Sequence, residues 1–368
     1  MYGIYIHVPF CIRKCPYCDF YSTSASAEVR EAYLSSLCNQ IISFAPVQAD
    51  TVYFGGGTPT LLDPSQISKV MEVLISHHSI SSDSEITMEC NPATADEERF
   101  RGYLDAGINR LSIGCQSFDG RCLSKLGRLH SSEDSVRAFE DARKAGFKNI
   151  SVDIMLGIPF EDPEIAASDA RKAAELGADH VSAYLLRLCE GTPFGNGVPG
   201  IPDDDVQAEC YRSFCREMDL AGLCQYEISN FSRPGFESRH NLKYWECGQW
   251  LGLGPAAHMS NSLTRWSFPA DLKHYIASFS GGPVDDPVSL MHEEGTVDAE
   301  EYIITSLRTV KGLNTASLHE RFGISFSPDR MSFLKKCAQS GLVELSGSNI
   351  RLTRDGFLVS NSILTELI

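Results

Sequence analysis

Six short apolar runs rich in aromatic and β-branched residues, each followed by a loop or a helical stretch, constrain the fold of this chain more than any other feature. The first opens the chain at Tyr2, and the others lie at Thr51–Phe54, Glu85–Glu89, Arg110–Cys115, Ile150–Leu156 and His180–Leu185. Helices fit between them at Ala27–Phe44, Pro64–His77, Asp96–Ala106, Ser132–Ala145 and Pro163–Leu176. In the first of these, Val29, Tyr33, Leu34, Leu37 and Ile41 recur at the helical spacing of an amphipathic face. Repeated strand–helix alternation predicts an α/β fold whose parallel strands are joined by right-handed crossovers. The 368 residues are long for one ordinary domain but suit an α/β barrel with a small appendage.

Beyond the alternation, the pattern changes. A helix is predicted over Pro202–Leu220 and a short strand over Gln225–Ser229. Asn230–Ser262, rich in Gly, aromatics and His, reads as site-building loop rather than scaffold. Gly281–Pro287 is the candidate linker. Helices near Ala299–Thr309, Thr315–Phe322 and Asp329–Ser340 precede a hairpin, Leu342–Leu345 and Ile350–Thr353, turning through Gly347-Ser-Asn349. These predict a C-terminal winged-helix-like α+β domain. The expected division is 1–230 barrel, 231–285 loop and connector, and 286–368 C-terminal domain. With eight basic and seven acidic residues from Ala299 onward, that domain is less basic than a DNA-binding wing and suits a lid or docking role.

Composition narrows the function classes. The formal charge of −16 argues against a general polyanion binder, so no nucleic-acid partner is expected. No apolar run approaches the roughly 20 residues that span a bilayer. Thirteen cysteines, an odd number, with no secretory signal fit a reducing cytoplasm better than a disulfide framework.

Three of those cysteines follow the first strand as Cys11-x3-Cys15-x2-Cys18. Three soft thiolates within eight residues can chelate one metal centre, and on a four-iron cluster they leave one iron open. The residues alone leave a zinc site open too, completed by His7 or a distant ligand. The second strand runs into Gly55-Gly-Gly-Thr-Pro-Thr60, which has neither the Lys of a phosphate-binding Walker loop nor a dinucleotide fingerprint. Its glycines permit close approach of a ligand to the backbone. Period-2 alternation gives the third, fourth and fifth strands one polar face each, bringing Glu89, Gln116 and Asp153 toward the carboxyl ends. In a barrel that position is the mouth of the active site.

Together these motifs resemble the radical S-adenosylmethionine (SAM) superfamily and, within it, the anaerobic coproporphyrinogen III dehydrogenase family. The resemblance rests on the cysteine motif, Gly55–Thr60, Met88-Glu-Cys-Asn-Pro92, Leu111–Ser117, Leu126-Gly-Arg-Leu-His130, Val152–Pro159, Glu190-Gly-Thr-Pro-Phe194 and Tyr226–Phe231, spread over most of residues 2 to 260. It implies a partial (β/α)6 TIM-like barrel in which Cys11, Cys15 and Cys18 hold a 4Fe-4S cluster whose open iron chelates the methionine end of SAM. Gly56, Gly57 and Thr58 are implied to receive that end. Tyr5, Glu89, Gln116, Arg128 and Asp153 align with the family's other SAM contacts. The implied chemistry is one-electron reductive cleavage of SAM to a radical that abstracts hydrogen from a substrate.

One departure shifts the expected function. The dehydrogenases carry a fourth cysteine two residues after the third, and here that position is Phe20. This departure and the short stretch before the first strand are features of the heme chaperone (HemW-like) branch of the family. The resemblance then implies binding of heme and its delivery to an acceptor heme protein, a membrane respiratory enzyme among the candidates, with an electron donor for the cluster. The branch's heme motif resembles His240-Asn-Leu-Lys-Tyr-Trp245, in which His240 is the expected axial ligand beside Asn241, Tyr244 and Trp245. His258 is the alternative ligand, and Cys247 a possible thiolate contact. Porphyrinogen oxidation, or radical chemistry on another substrate including RNA, are the competing readings.

Overall fold

The computed structural model describes residues 1–368. Strand β1 (Tyr2–Val8) leads through the cysteine loop to helix α1 (Ala27–Ser43), then β2 (Gln48–Gly56), α2 (Pro64–His77), β3 (Ser79–Cys90), α3 (Glu97–Asp105) and β4 (Arg110–Gln116). Next come α4 (Gly120–Lys125), α5 (Ser132–Ala145), β5 (Asn149–Leu156), α6 (Pro163–Glu175), β6 (His180–Leu185) and α7 (Asp204–Leu220). Strands β1 to β6 are neighbours in sequence order and all parallel. The α/β alternation expected from the sequence is therefore the observed architecture, with α4 as an addition.

Local signals explain the element ends. Ser26 caps α1, accepting from the Val29 amide, and Ser131 with Asp134 forms a reciprocal box at the start of α5. Gly146, at φ 117°, ends α5 in a left-handed turn that a side chain would strain. The strands alternate as their sequences do. Ile4, Ile6, Val52, Phe54, Met88, Leu111, Ile113, Val152 and Ile154 are fully buried in one core between sheet and helices. Each such side chain contributes about 2 kcal/mol of burial free energy.

Residues 231–285 correct the sequence reading. They are not a loop and connector. After β7 (Cys224–Gln225) and β8 (Asn230–Ser232) come α8 (Arg239–Trp245), β9 (Gln249–Leu253), β10 (His258–Asn261), β11 (Thr264–Ser267) and α9 (Leu272–Phe279). Strand β9 pairs in parallel with β1, and β10, β11 and β12 (His292–Thr296) extend that edge antiparallel. On the far edge β8 runs antiparallel to β6. Leu251, Leu253, Phe268, Tyr275 and Phe279 share the barrel's core. The strand expected at Gln225–Ser229 is broken, because its middle bonds elsewhere: the Ile228 amide donates to the Arg308 carbonyl and the Val310 amide to the Tyr226 carbonyl.

That contact joins the barrel to the C-terminal elements. These are α10 (Ala299–Leu307), β13 (Leu313–Asn314), α11 (Thr315–Phe322), α12 (Pro328–Gln339), β14 (Val343–Ser346), β15 (Asn349–Leu352), α13 (Arg354–Leu358) and α14 (Ser360–Thr365). Five helices around a three-stranded sheet of order β13-β15-β14, with a separate 14-residue core, give the winged-helix-like arrangement. Ion pairs Arg354–Asp219 and Arg212–Asp355 tie it to α7.

Candidate functional site

At the carboxyl ends of β1 to β6 lies a cleft of about 460 Å³. Cys11, Cys15 and Cys18 line it together with Gly56, Gly57, Thr58, Glu89, Gln116, Arg128 and Asp153, so motifs far apart in sequence meet in one place. Its size suits a single nucleoside-like ligand.

The cysteine loop is held by the glycine turn. The Gly57 amide donates to the Val8 carbonyl at 2.8 Å and the Thr58 amide to the Phe10 carbonyl at 2.7 Å. A Cβ on Gly57 would fall 2.6 Å from the Phe10 oxygen, and Gly56 sits at φ 106°, so both positions need glycine for a specific reason. All three thiols are half-buried and free of disulfides. Burial pushes the Cys18 thiol up, so it ionises when a metal displaces its proton. Arg128 places Nη1 3.6 Å from Cys15 Sγ and 3.3 Å from the Tyr17 hydroxyl, while Nη2 donates to the Gly114 carbonyl at 2.9 Å. A buried cation beside the thiols balances the negative charge of a thiolate-bound iron–sulfur centre. Donor set, cation and loop therefore fit a 4Fe-4S cluster.

Opposite the loop, Glu89 accepts from the Tyr53 hydroxyl at 2.9 Å and from the Gly56 amide at 3.1 Å. Burial raises its pKa to about 7, the two hydrogen bonds opposing and nearby Asp153 adding to the rise. Asp153 accepts from Ser112 at 2.8 Å and from Ser151 at 3.2 Å, and burial holds its pKa above the usual aspartate value. Gln116 ends β4 at φ 70°, a left-handed conformation rare for a side-chain-bearing residue. The strain reaims its amide across Gly114, where a Cβ would meet Gln116 Nε2 at 2.9 Å. Acceptors Glu89 and Asp153 face a turn of backbone and a set of thiols. That arrangement suits a ligand with amino N–H donors at one end and hydroxyls at the other.

Tyr5 does not line the cleft. Its ring lies beside Tyr53 at 6.2 Å and His240 at 6.5 Å, and its hydroxyl bonds His7 Nδ1 at 3.1 Å. His240 departs further from expectation. It is fully buried at the start of α8, its ring stacked on Tyr53 at 5.2 Å. Nδ1 bonds Thr51 Oγ1 at 2.8 Å and Nε2 bonds the Tyr244 hydroxyl at 2.7 Å. Glu85 receives the backbone amides of Arg239 and His240, fixing the helix start against β3. In this fold both ring nitrogens are engaged and the side chain has no exposed surface. Burial lowers its pKa to about 3, keeping the ring neutral. Cys247 is likewise buried, against Thr305 at 3.3 Å, while His258 is exposed on β10 and pairs with Glu294 at 2.9 Å.

Sequence reasoning missed Tyr53, Ser151 and Cys189. Tyr53 shares a strand face with Thr51 and Gly55, a signal present in the alternation but not drawn on. Cys189 lines the cleft and its thiol contacts Asp19 Oδ2 at 3.3 Å, a pairing of distant segments with no local signature.

Comparison with known proteins agrees with this geometry. Residues 5–172 match the model of the Radical SAM superfamily and residues 295–359 that of the HemN C-terminal domain. The chain is 36% identical to heme chaperone HemW of Bacillus subtilis, covering 99% of this chain and 98% of the relative. It is 38% identical to heme chaperone HemW of Escherichia coli over 70% of this chain and 69% of the relative. Heme chaperone HemW of Mycobacterium tuberculosis is 33% identical, covering 100% and 95%. Among solved structures, coproporphyrinogen III oxidase (HemN) from Escherichia coli, described as a radical SAM enzyme, shares the fold with a TM-score of 0.82 at 22% identity, covering 99% of this chain and 89% of that one.

Proposed function

The chain belongs to the heme chaperone HemW family of the radical SAM superfamily, and from that premise we propose that it binds heme and passes it to an acceptor heme protein. The observation that carries the reading is the end-to-end match at 36% identity to a heme chaperone. Phe20, 63% exposed where the dehydrogenase pattern has a fourth cysteine, supports it.

Superfamily membership implies a 4Fe-4S cluster and SAM, which when bound supply one-electron chemistry to the site. In our assignment Cys11, Cys15 and Cys18 are the cluster ligands, and Arg128 offsets their charge. Glu89 accepts hydrogen bonds from the SAM amino group, with Tyr53 fixing the orientation of its carboxylate. Gly56, Gly57 and Thr58 supply the backbone surface beside it. Gln116 and Asp153 take the remaining polar groups, Asp153 held in place by Ser112 and Ser151. The groups these residues would hold would either gate heme transfer or supply one-electron chemistry to it. No helix in the fold is long and apolar enough to cross a membrane, so a membrane acceptor would be met by docking.

The intact cleft favours one second reading, oxidative decarboxylation of coproporphyrinogen III. A single experiment separates the two. Cluster-reconstituted protein is incubated anaerobically with SAM and reductant, either with heme and an apo heme protein or with coproporphyrinogen III. Heme should appear in the acceptor while no protoporphyrinogen forms. Sustained conversion of the porphyrinogen would reverse the ranking.

A further inference from the structure

His240 is buried in this fold, and the surface above the cleft offers heme a second place. Strand β6 ends with Tyr184 and Leu185 exposed, 43% and 40%, although its first four residues are buried. Phe20, 63% exposed, lines the same cleft. The Cys189–Asp19 contact draws the two segments together, so these side chains form one apolar rim rather than scattered surface residues. Phe20 and Leu185 stand clear of the polar floor, while the Tyr184 hydroxyl lies near Asp153 and Ser182.

Charge at the same rim is opposite to that of the molecule. The cleft lining carries four basic residues, Arg13, Lys14, Arg128 and Arg187, against three acidic ones in a chain of net charge −16. Of these, Arg128 is committed to Cys15, Tyr17 and Gly114, and Arg13 donates to the Gly127 carbonyl. Lys14 and Arg187 are exposed and enter none of the ion pairs of the fold. Unpaired cations flanking an exposed apolar rim call for a flat apolar ligand with carboxylates on one edge.

Resting on the heme-chaperone reading, we propose that heme docks on this rim, its macrocycle against Phe20, Tyr184 and Leu185 and its propionates toward Lys14 and Arg187. Heme then covers the mouth of the cleft that holds SAM and the cluster, so occupancy below bears directly on its release.

Heme titration of the full-length, cluster-reconstituted protein, read by Soret absorbance and by quenching of intrinsic fluorescence, tests the site. Leu185→Glu and Arg187→Glu should each weaken heme binding at least tenfold while cluster absorbance and SAM binding persist. Heme dimethyl ester, which lacks the propionate charges, should bind the parent protein weakly and lose nothing further in Arg187→Glu. Unchanged heme affinity in both variants, with loss in His240→Ala, would place heme on the barrel floor and overturn the proposal while leaving the chaperone reading intact. A parent protein that takes up no heme defeats the reading itself and the proposal with it.

Discussion

Glu89 lies where the cleft strips water from a carboxylate, and its pKa of about 7 follows from that burial in spite of donors on both oxygens. Below that pH the side chain is neutral and a weaker acceptor for amino N–H groups; above it the carboxylate is formed. SAM affinity should therefore tighten on going from pH 6 to pH 8, by about the tenfold change in ionised fraction. Isothermal titration across that range checks it, and a flat profile would remove Glu89 from the amino-group role. Glu89→Gln should bind weakly at every pH. Tyr53→Phe makes a subtler prediction, since the lost hydroxyl had stabilised the charged form. The Glu89 pKa should climb further, displacing the affinity profile to higher pH with the cluster retained. An unshifted profile would show that the 2.9 Å contact contributes little.

At the scale of elements, the site depends on two turns packed backbone to backbone. Gly57 approaches the Phe10 and Val8 carbonyls so closely that a methyl group has nowhere to go except by moving the cysteine loop. Gly57→Ala should fold but hold less than half the parent's cluster after reconstitution, measured as iron and sulfide per chain. Full cluster content would mean the loop adjusts without cost. These central elements were legible because β1 to β6 carry their own periodicity, and the polar face of β3 to β5 pointed to Glu89, Gln116 and Asp153 before any geometry was known. The edge was not legible. Strands β10 and β11 have four residues each, too few for alternation to register, and their pairing with β9 and β12 depends on distant segments. The burial of His240 was not legible for a related reason. Its motif looks polar and loop-like along the chain, whereas Thr51, Tyr53 and Tyr244 supply partners that bury it. A local pattern cannot show that a polar group's partners lie nearly two hundred residues away.

For the whole molecule, the balance of buried ionisable groups sets how stability varies with pH. Glu161 is buried under the turn after β5, accepting from the Gly157 and Ile158 amides, and burial raises its pKa to about 8. Glu227 is fully buried in the turn that meets the C-terminal domain and rises to about 8 for the same cause, with Arg308 opposing the rise. In the unfolded chain both titrate near the ordinary glutamate value of about 4.3, so between there and about 8 the folded state binds more protons. The stability they contribute is fully present below the unfolded value and drains away as pH rises through about 8. Buried histidines act in the other direction but lower down: His7, His78 and His130, held at about 4, are neutral in the folded state throughout, and above about pH 7 they are largely neutral unfolded as well. From pH 7 to 8.5 the carboxyls therefore decide the slope, and unfolding free energy should fall by on the order of 1–2 kcal/mol. Denaturant titrations at the two pH values measure the fall. In the double variant Glu161→Gln, Glu227→Gln, which keeps the amide acceptors and removes the titration, the two curves should draw together. If the parent protein is as stable at pH 8.5 as at pH 7, those carboxyls are already charged in the fold, with Arg308 and the loop amides outweighing their burial.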